Sequence, residues 1–260
     1  MVDFTEVMFE VFNSGRHDIL QLLNERTLRF TDLSRQLNAS DGELSRNLKR
    51  LLDSGLIEKH SSGAFEITPL AKAILTFVPG LRVLTRHMDY FRSHDITRLP
   101  KELILRLHDL SEAKFLSEPF KIFAAIERIF QDVKKQFYGL WVFGRETLTN
   151  EELSHSLRLK ECILKNRTEV RALLLEKELP LFTKALPDFS GLAHVRVLKG
   201  TPTSLALGDT SGIVFFVDRS GRLDFNYAFF GENGNFLRWC YDLFMEYLEQ
   251  SRVISAPSDT

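Results

Sequence analysis

Apolar residues recur at helical spacing from the start of the chain. The first such stripe, over DFTEVMFEVFN, consists of Phe4, Val7, Met8, Val11 and Phe12. This i, i+3, i+4, i+7 spacing predicts an amphipathic helix. A second helix is predicted from about Ser14, and a short third helix over RFTDLSRQLN with Thr31 as its N-cap.

The next segment predicts a fourth helix followed by a β-hairpin. The stretch GELSRNLKRLLDSGLI follows a break at 39–42, and Gly55 is placed to end its helix. Two short strands, 57–60 and 64–68, are joined by Ser61-Ser62-Gly63. Pro69 favours the first turn of a further helix, which is expected to pause at Pro79-Gly80 and resume toward Tyr90. This order of elements predicts a winged helix-turn-helix.

The pattern changes beyond the polar segment HDITRLP, where we place the domain boundary. Residues 101–135 are helical in pattern, and the later apolar runs YGLWVFG, VRALLLE, HVRVLKG, SLALGD and GIVFFVD have strand length. Helical patterns at 151–166, 179–186 and 234–250 lie among them, and a hairpin is expected to turn at 219–221. We therefore predict an α+β fold, with a winged helix-turn-helix and dimerisation helix over 1–93. Residues 94–260 are expected to form an α/β regulatory domain with a mixed sheet flanked by helices.

The fourth helix has one apolar and one polar face. Leu44, Leu48, Leu51 and Leu52 share a side, so that Arg46 and Lys49 are predicted to point outward. Seven Lys and Arg residues against five acids give residues 26–60 a local charge of +2, although the whole chain carries −1. Such a helix fits the major groove, with Ser40, Glu43 and Arg46 near bases and Lys49 and Arg50 at phosphates. The predicted DNA-binding residues are Thr31, Ser40, Gly42, Glu43, Ser45, Arg46, Lys49, Arg50, Lys59, His60, Ser61 and Ser62.

Two segments resemble known regulators. LSRQLNASDGELSRNLKRLLDSGLIEKHSSGAFEITPLAKAIL is similar to the ArsR-like winged-helix half of archaeal transcription regulators, with Leu44, Ser45, Leu48, Gly55 and Thr68 in matching places. It departs from many of them in having Ala71-Lys72 where they carry glycine. HDITRLPKELILRLHDLSEA and GRLDFNYAFFGENGNFLRWCYDLFMEYLEQS resemble the middle domain of methanogenesis-type regulators. The resemblance implies a dimeric DNA-binding regulator whose second domain binds an effector, without identifying the ligand.

Other chemistry finds little support in the sequence. The seven histidines form no HxxxH or HxH pair, and the cysteines, Cys162 and Cys240, suggest neither a zinc cluster nor a disulfide scaffold. The sequence contains no GxSxG, P-loop or GxGxxG motif, and no HxK pair such as phospholipase-D-like chemistry requires. No cofactor, metal or catalytic residue is therefore predicted. The absence of a leader and of an 18-residue apolar run predicts a cytoplasmic protein without a membrane partner.

A ligand site is predicted where strands of the second domain end, because α/β sheets bind ligands at the carboxyl ends of their strands. The residues in question are Trp141, Phe143, Arg145, Lys199, Asp209 and Phe229. Simple strand termination at the surface is the alternative explanation for their positions. The sequence as a whole predicts a cytoplasmic, homodimeric, sequence-specific transcription regulator that binds double-stranded DNA and responds to an unknown small molecule. A winged-helix assembly subunit and a nucleic-acid-processing enzyme remain as alternatives.

Overall fold

The computed structural model describes residues 3–142, 161, 165–180 and 193–253. The chain divides into two units, Met1–Val78 and Pro79–Thr260, which are called unit 1 and unit 2 below. The sequence predicts a domain boundary between residues 93 and 94. This boundary stays a prediction, because the two units are defined by their internal contacts and not as domains.

Unit 1 has the element order of a winged helix-turn-helix. Its helices are α1 (Phe4–Phe12), α2 (Ser14–Glu25), α3 (Phe30–Leu37), α4 (Asp41–Asp53) and α5 (Pro69–Leu75). Its strands are β1 (Leu28–Arg29), β2 (Ile57–Lys59) and β3 (Ala64–Ile67), in the order β1-β3-β2 with antiparallel pairing. The predicted order of helices and hairpin is thereby confirmed.

Local capping explains where these helices begin. The side chain of Asn13 accepts a hydrogen bond from the backbone of Arg16, and the Thr68 hydroxyl accepts one from Ala71 ahead of Pro69. The prediction of Thr31 as an N-cap is wrong, because α3 begins two residues earlier than expected, at Phe30, and its N-cap is Arg29. Arg29 belongs to β1, whose pairing with β3 fixes the entry to the helix.

Unit 2 contains helices on both sides of a mixed sheet. Its helices are α6 (Val78–Arg86, which begins on the last residue of unit 1), α7 (Met88–Ser93), α8 (Lys101–Leu105), α9 (Pro119–Asp132) and α10 (Gly234–Gln250). Short 3₁₀ turns lie at 107–110 and 176–178. Its strands are β4 (Lys114–Leu116), β5 (Gln136–Trp141), β6 (Glu169–Leu175), β7 (Ala193–Leu198), β8 (Thr203–Leu207), β9 (Gly212–Phe216), β10 (Ala228–Gly231) and β11 (Arg252–Val253).

The described strands of unit 2 form one eight-stranded sheet, in the order β11-β7-β6-β5-β8-β9-β10-β4. β5, β6 and β7 run parallel, whereas the other pairs are antiparallel, which confirms the predicted mixed sheet. The hairpin predicted at 219–221 is also confirmed, since the N–H of Gly221 donates to the carbonyl of Asp218 at 2.9 Å and Val217 pairs with Leu223.

Alternate residues of the central strands supply two separate cores. Tyr138, Val214 and Phe229 face a cluster that includes Trp239 and Phe244 of α10. Phe137, Phe215 and Phe230 face the opposite cluster, which includes Ile122 and Ile129 of α9. The sheet is therefore apolar on both faces, as expected of a sheet covered by helices on each side.

The structure departs from the predicted elements at two further places. Residues 101–135 were expected to be helical, but Lys114–Leu116 form β4, which pairs with β10. The helix expected to resume after Pro79-Gly80 begins at Val78 instead, because proline is well tolerated in a first helical turn.

Candidate nucleic-acid interface

Helix α4 presents the predicted polar face. Ser40 is its N-cap, with the hydroxyl accepting a hydrogen bond from the backbone of Glu43 at 3.4 Å. Leu44, Leu48 and Leu51 are buried in the core of unit 1, and Leu52 is half-buried. The opposite side is exposed, and its residues are Gly42, Glu43, Ser45, Arg46, Lys49 and Arg50. The predicted orientation of the helix is confirmed.

Two of the exposed cations are unengaged. Within the part of the chain that the structure describes, Arg46 and Lys49 have neither an ion pair nor a side-chain hydrogen bond. They are three positions apart and therefore lie on neighbouring turns of the same face. Their charges are available to an external anion, and the nearby Glu43 carboxylate limits how much net positive charge this face carries.

Arg50, which the sequence places at a phosphate, forms an ion pair within unit 1. Its guanidinium donates to both carboxylate oxygens of Glu10, with Nη2 2.7 Å from Oε1 and Nε 3.2 Å from Oε2. The carboxylate of Glu10 also pairs with the guanidinium of Arg16, with Oε2 2.5 Å from Nε. Both arginines pack over the ring of Phe9. Arg50 thus ties α4 to α1 and is not a free cation beside Lys49.

The environments of the two arginines differ. The Arg16 side chain is only 5% exposed, and burial lowers its pKa, opposed by the charge of Glu10. The Arg50 side chain is 54% exposed, and its hydrogen bond to Glu10 raises its pKa. One carboxylate therefore pairs with one buried and one accessible guanidinium, which links α1, α2 and α4 and leaves the cluster with one net positive charge.

The hairpin of β2 and β3 forms the predicted wing. Ser61 and Ser62 are exposed at its tip, and Gly63 adopts a φ of +81°, which favours glycine. The imidazole of His60 lies 2.6 Å from the Glu66 carboxylate, and the ammonium of Lys59 lies over the Phe65 ring. The small tip is accessible, whereas His60 and Lys59 are engaged within the hairpin.

The helix α3 and strand β1 add polar residues that the sequence-based set partly missed. Thr31 is exposed in the first turn of α3. Arg29 is exposed on β1 opposite Ala64 of the wing strand. The alternation of buried Leu28 and exposed Arg29 is the only signal that could have indicated this strand, and two residues are too few to show a period.

Of the described residues predicted to line an effector pocket, Phe229 and Asp209 lie apart from Trp141. Trp141 packs against the α9 core, whereas Phe229 is fully buried in the α10 core on the other face of the sheet. Asp209 lies beside the start of β5, whereas Trp141 lies at its end, because β8 runs antiparallel to β5. Its carboxylate instead accepts hydrogen bonds from the backbone N–H groups of residues 134–136. Lys199 is exposed after β7, and Phe143 and Arg145 lie outside the described residues.

Two other kinds of feature, a metal centre and a membrane-spanning helix, are absent from the described ranges. Among these residues no group of three His, Cys, Asp or Glu side chains is placed to hold a metal ion. No helix in the described part of the chain has both the length and the apolar character needed to cross a bilayer.

Comparison with known proteins identifies the helix-turn-helix. Residues 13–59 match the family model described as "Bacterial regulatory protein, arsR family". The match runs from the N-cap of α2 to the end of β2 and includes all of α4. Unit 1 therefore contains a helix-turn-helix of the arsR type, a DNA-binding domain of transcription regulators.

The whole-chain comparisons are weaker. No curated protein matches this sequence. A solved structure described as "Structure of TrmBL2, an archaeal chromatin protein, shows a novel mode of DNA binding" is 13% identical and aligns over 95% of each chain, with a TM-score of 0.43. A similarity at this level does not establish a common fold, and the resemblance of the second half to methanogenesis-type regulators stays a prediction.

Proposed function

We propose that this chain is a sequence-specific transcription regulator that binds duplex DNA as a homodimer and responds to a small molecule through unit 2. The observation that carries the DNA-binding part is the exposed face of α4. There Arg46 and Lys49 project without partners from the described residues, in a helix-turn-helix of the arsR type.

The two cations should have different tasks in the complex. Arg46 lies nearer the N-terminus of α4, where a recognition helix meets base edges, and its guanidinium can bond a guanine through two hydrogen bonds. Lys49 lies one turn further along and is suited to a phosphate. The exposed serines at the tip of the wing can follow the backbone of the duplex.

A salt titration of the full chain tests this assignment. Affinity is measured by fluorescence anisotropy on random duplex and on a site selected from random DNA. Lys49→Ala should weaken binding to all sequences and lower the salt slope by about 0.9 per chain. Arg46→Ala should reduce the preference for the selected site, and Lys101→Ala, an exposed lysine of unit 2, serves as the matched control.

Two results would contradict this assignment. Absence of duplex binding at low salt, with the protein folded, would overturn it. If neither Arg46→Ala nor Lys49→Ala changes the affinity for duplex, the DNA-binding surface is not on α4.

Pairing of two chains is supported by exposed apolar residues in unit 1. Each of the following side chains is at least half exposed: Phe4, Phe9, Phe12, Leu70 and Phe77. Large exposed apolar side chains of this kind are common on a surface that a second protein covers. We propose that α1 and residues 70–77 of unit 1 form the dimer interface, which would set two half-sites about one helical turn of DNA apart or a multiple of that distance.

Sedimentation equilibrium tests the dimer. The chain has a mass of 30.0 kDa, so that twice this value is expected for the wild type. Phe77→Glu should shift the population toward the monomer, with an exposed polar position changed in the same way, Gln21→Glu, as the control. A wild-type monomer at DNA-binding concentrations would contradict the proposed pairing.

A further inference from the structure

Unit 2 contains a cavity that none of the predicted ligand residues line. It has a volume of about 570 Å³ and lies among α6, α7, β4 and the segment before β10. This volume is within the range of small-molecule sites in proteins. Its principal lining residues are Arg86, His87, Asp89, Tyr90, Phe115 and Tyr227.

One side of the cavity is an aromatic wall. The rings of Phe115 and Tyr227 are nearly parallel, at 12° with centroids 5.8 Å apart, and the ring of His87 lies 4.5 Å from that of Phe115. His87, Phe115 and Tyr227 are only half-buried, so that part of each ring is open to the cavity. A flat apolar group can therefore pack against this wall with favourable ring–ring geometry.

The wall is rigid at its base. Tyr90 is buried, and its ring stacks on that of His94 with a centroid distance of 3.8 Å. The imidazole Nδ1 of His94 is in turn within 2.9 Å of the Tyr90 carbonyl. A surface held in this way before binding loses little conformational freedom when a ligand arrives.

The charge at the cavity favours an anion. Asp89 is paired with Arg92, at 3.4 Å between Oδ1 and Nη1. Arg86, by contrast, has no ion pair or hydrogen bond among the described residues and is exposed at the cavity. Burial, aided by the charge of Arg86, lowers the pKa of His87, which leaves its ring neutral at pH 7. Arg86 together with the solvent-exposed pair of Asp89 and Arg92 therefore gives the rim of the cavity one net positive charge.

We propose that this cavity binds a small planar aromatic anion, with the ring of the ligand against the aromatic wall and its negative charge at Arg86. The site itself is independent of the DNA-binding assignment. Its role as the effector site rests on the proposed function, which it makes more specific by naming a ligand class and a place.

Calorimetry on the full chain tests the site with three matched probes. Naphthoate, naphthylmethanol and naphthylmethylammonium share an aromatic body and differ in charge. Naphthoate should bind at least about fivefold more tightly than the other two, because only its carboxylate can form a hydrogen-bonded ion pair with the guanidinium. Failure of naphthoate to bind, or tighter binding by the ammonium probe, would overturn the proposal.

Two variants and a control assign the contacts. Arg86→Gln should weaken naphthoate about fivefold to tenfold and leave naphthylmethanol unchanged, whereas Tyr227→Leu should weaken all three probes. Arg98→Gln, which alters an exposed arginine outside the lining, should change nothing. Equal naphthoate affinity in the wild type and in Arg86→Gln would show that the charge is recognised elsewhere and would overturn the assignment.

Anisotropy of labelled duplex, measured with and without naphthoate, shows whether a ligand in the cavity changes the affinity of the protein for DNA. A shift in DNA affinity in the wild type that is lost in Arg86→Gln supports an effector site. Naphthoate binding with unchanged DNA affinity would overturn the effector role. Failure of the protein to bind duplex in the absence of any probe would contradict the proposed function instead, and calorimetry would still report on the site.

Discussion

Replacing Glu10 by glutamine should destabilise unit 1 and leave unit 2 unaffected. The carboxylate is 9% exposed and is shared by Arg16 and Arg50. Glutamine preserves the shape of the side chain and one acceptor oxygen, but it removes the negative charge. Arg16, with only 5% of its side chain exposed, would then carry a buried positive charge without a counterion.

The structure sets the size of the effect. Breaking a buried ion pair by removing one partner typically costs about 3–5 kcal/mol. We expect the lower end, about 3 kcal/mol, because Arg50 is half exposed and water can replace its partner. This corresponds to roughly a hundredfold change in the unfolding equilibrium of unit 1.

Hydrogen exchange resolves the two units in the full chain. Both tryptophans and all five tyrosines lie in unit 2, so that intrinsic fluorescence follows that unit alone. Amides of α4 around Leu48 should exchange roughly a hundredfold faster in Glu10→Gln if they exchange through unfolding of unit 1. Tryptophan fluorescence during urea unfolding should keep its midpoint.

A matched substitution checks the reasoning. Glu66→Gln alters a half-exposed pair with His60 in the same unit and should cost less than about 1 kcal/mol. Equal protection of α4 in the Glu10 and Glu66 variants would refute the conclusion that Glu10 neutralises a buried charge.

Three further predictions concern unit 2. Gly231→Ala places a methyl group against the ring of Phe236 and should lower the free energy of unfolding by about 1–3 kcal/mol. Gly234→Ala, which has open space around it, should leave that free energy unchanged. Equal urea midpoints for the two variants would contradict this prediction. Because the fold lowers the pKa of His87, the unfolded state binds more protons, and stability should fall as the pH decreases below about 6.5. His87→Asn should make that decrease in urea midpoint smaller, and an unchanged pH profile would argue against it. Burial raises the pKa of the Cys240 thiol. In a Cys162→Ser variant, a thiol reagent should therefore modify Cys240 only when the protein unfolds. Rapid modification of Cys240 in the native protein would contradict this prediction.

Features governed by neighbours in sequence were predictable. The spacing of Leu44, Leu48 and Leu51 alone determined which side of α4 is buried, since an α-helix repeats every 3.6 residues. Pro69 after Thr68 likewise marked the start of α5, because a cap and a first-turn proline act within one turn. The wing hairpin and the hairpin near residue 220 belong to the same class.

Features that depend on distant partners were not predictable. Arg50 and Lys49 are equivalent basic residues in the sequence, and only the approach of Glu10, forty positions away, makes one of them structural. Strand β4 is three residues long and forms because β10 offers it backbone partners. Asp209 lies far from Trp141 because β8 pairs antiparallel with β5, a choice that no local pattern encodes.

The sequence by itself determined the helix-turn-helix, the outward face of α4 and the sheet that is apolar on both faces. Each of these follows from the spacing of apolar residues within a single segment. Tertiary structure alone decided which cations remain free and where unit 2 leaves a cavity. Ion pairs and ring contacts form between side chains that chain folding brings together, and their partners cannot be inferred from spacing along one segment.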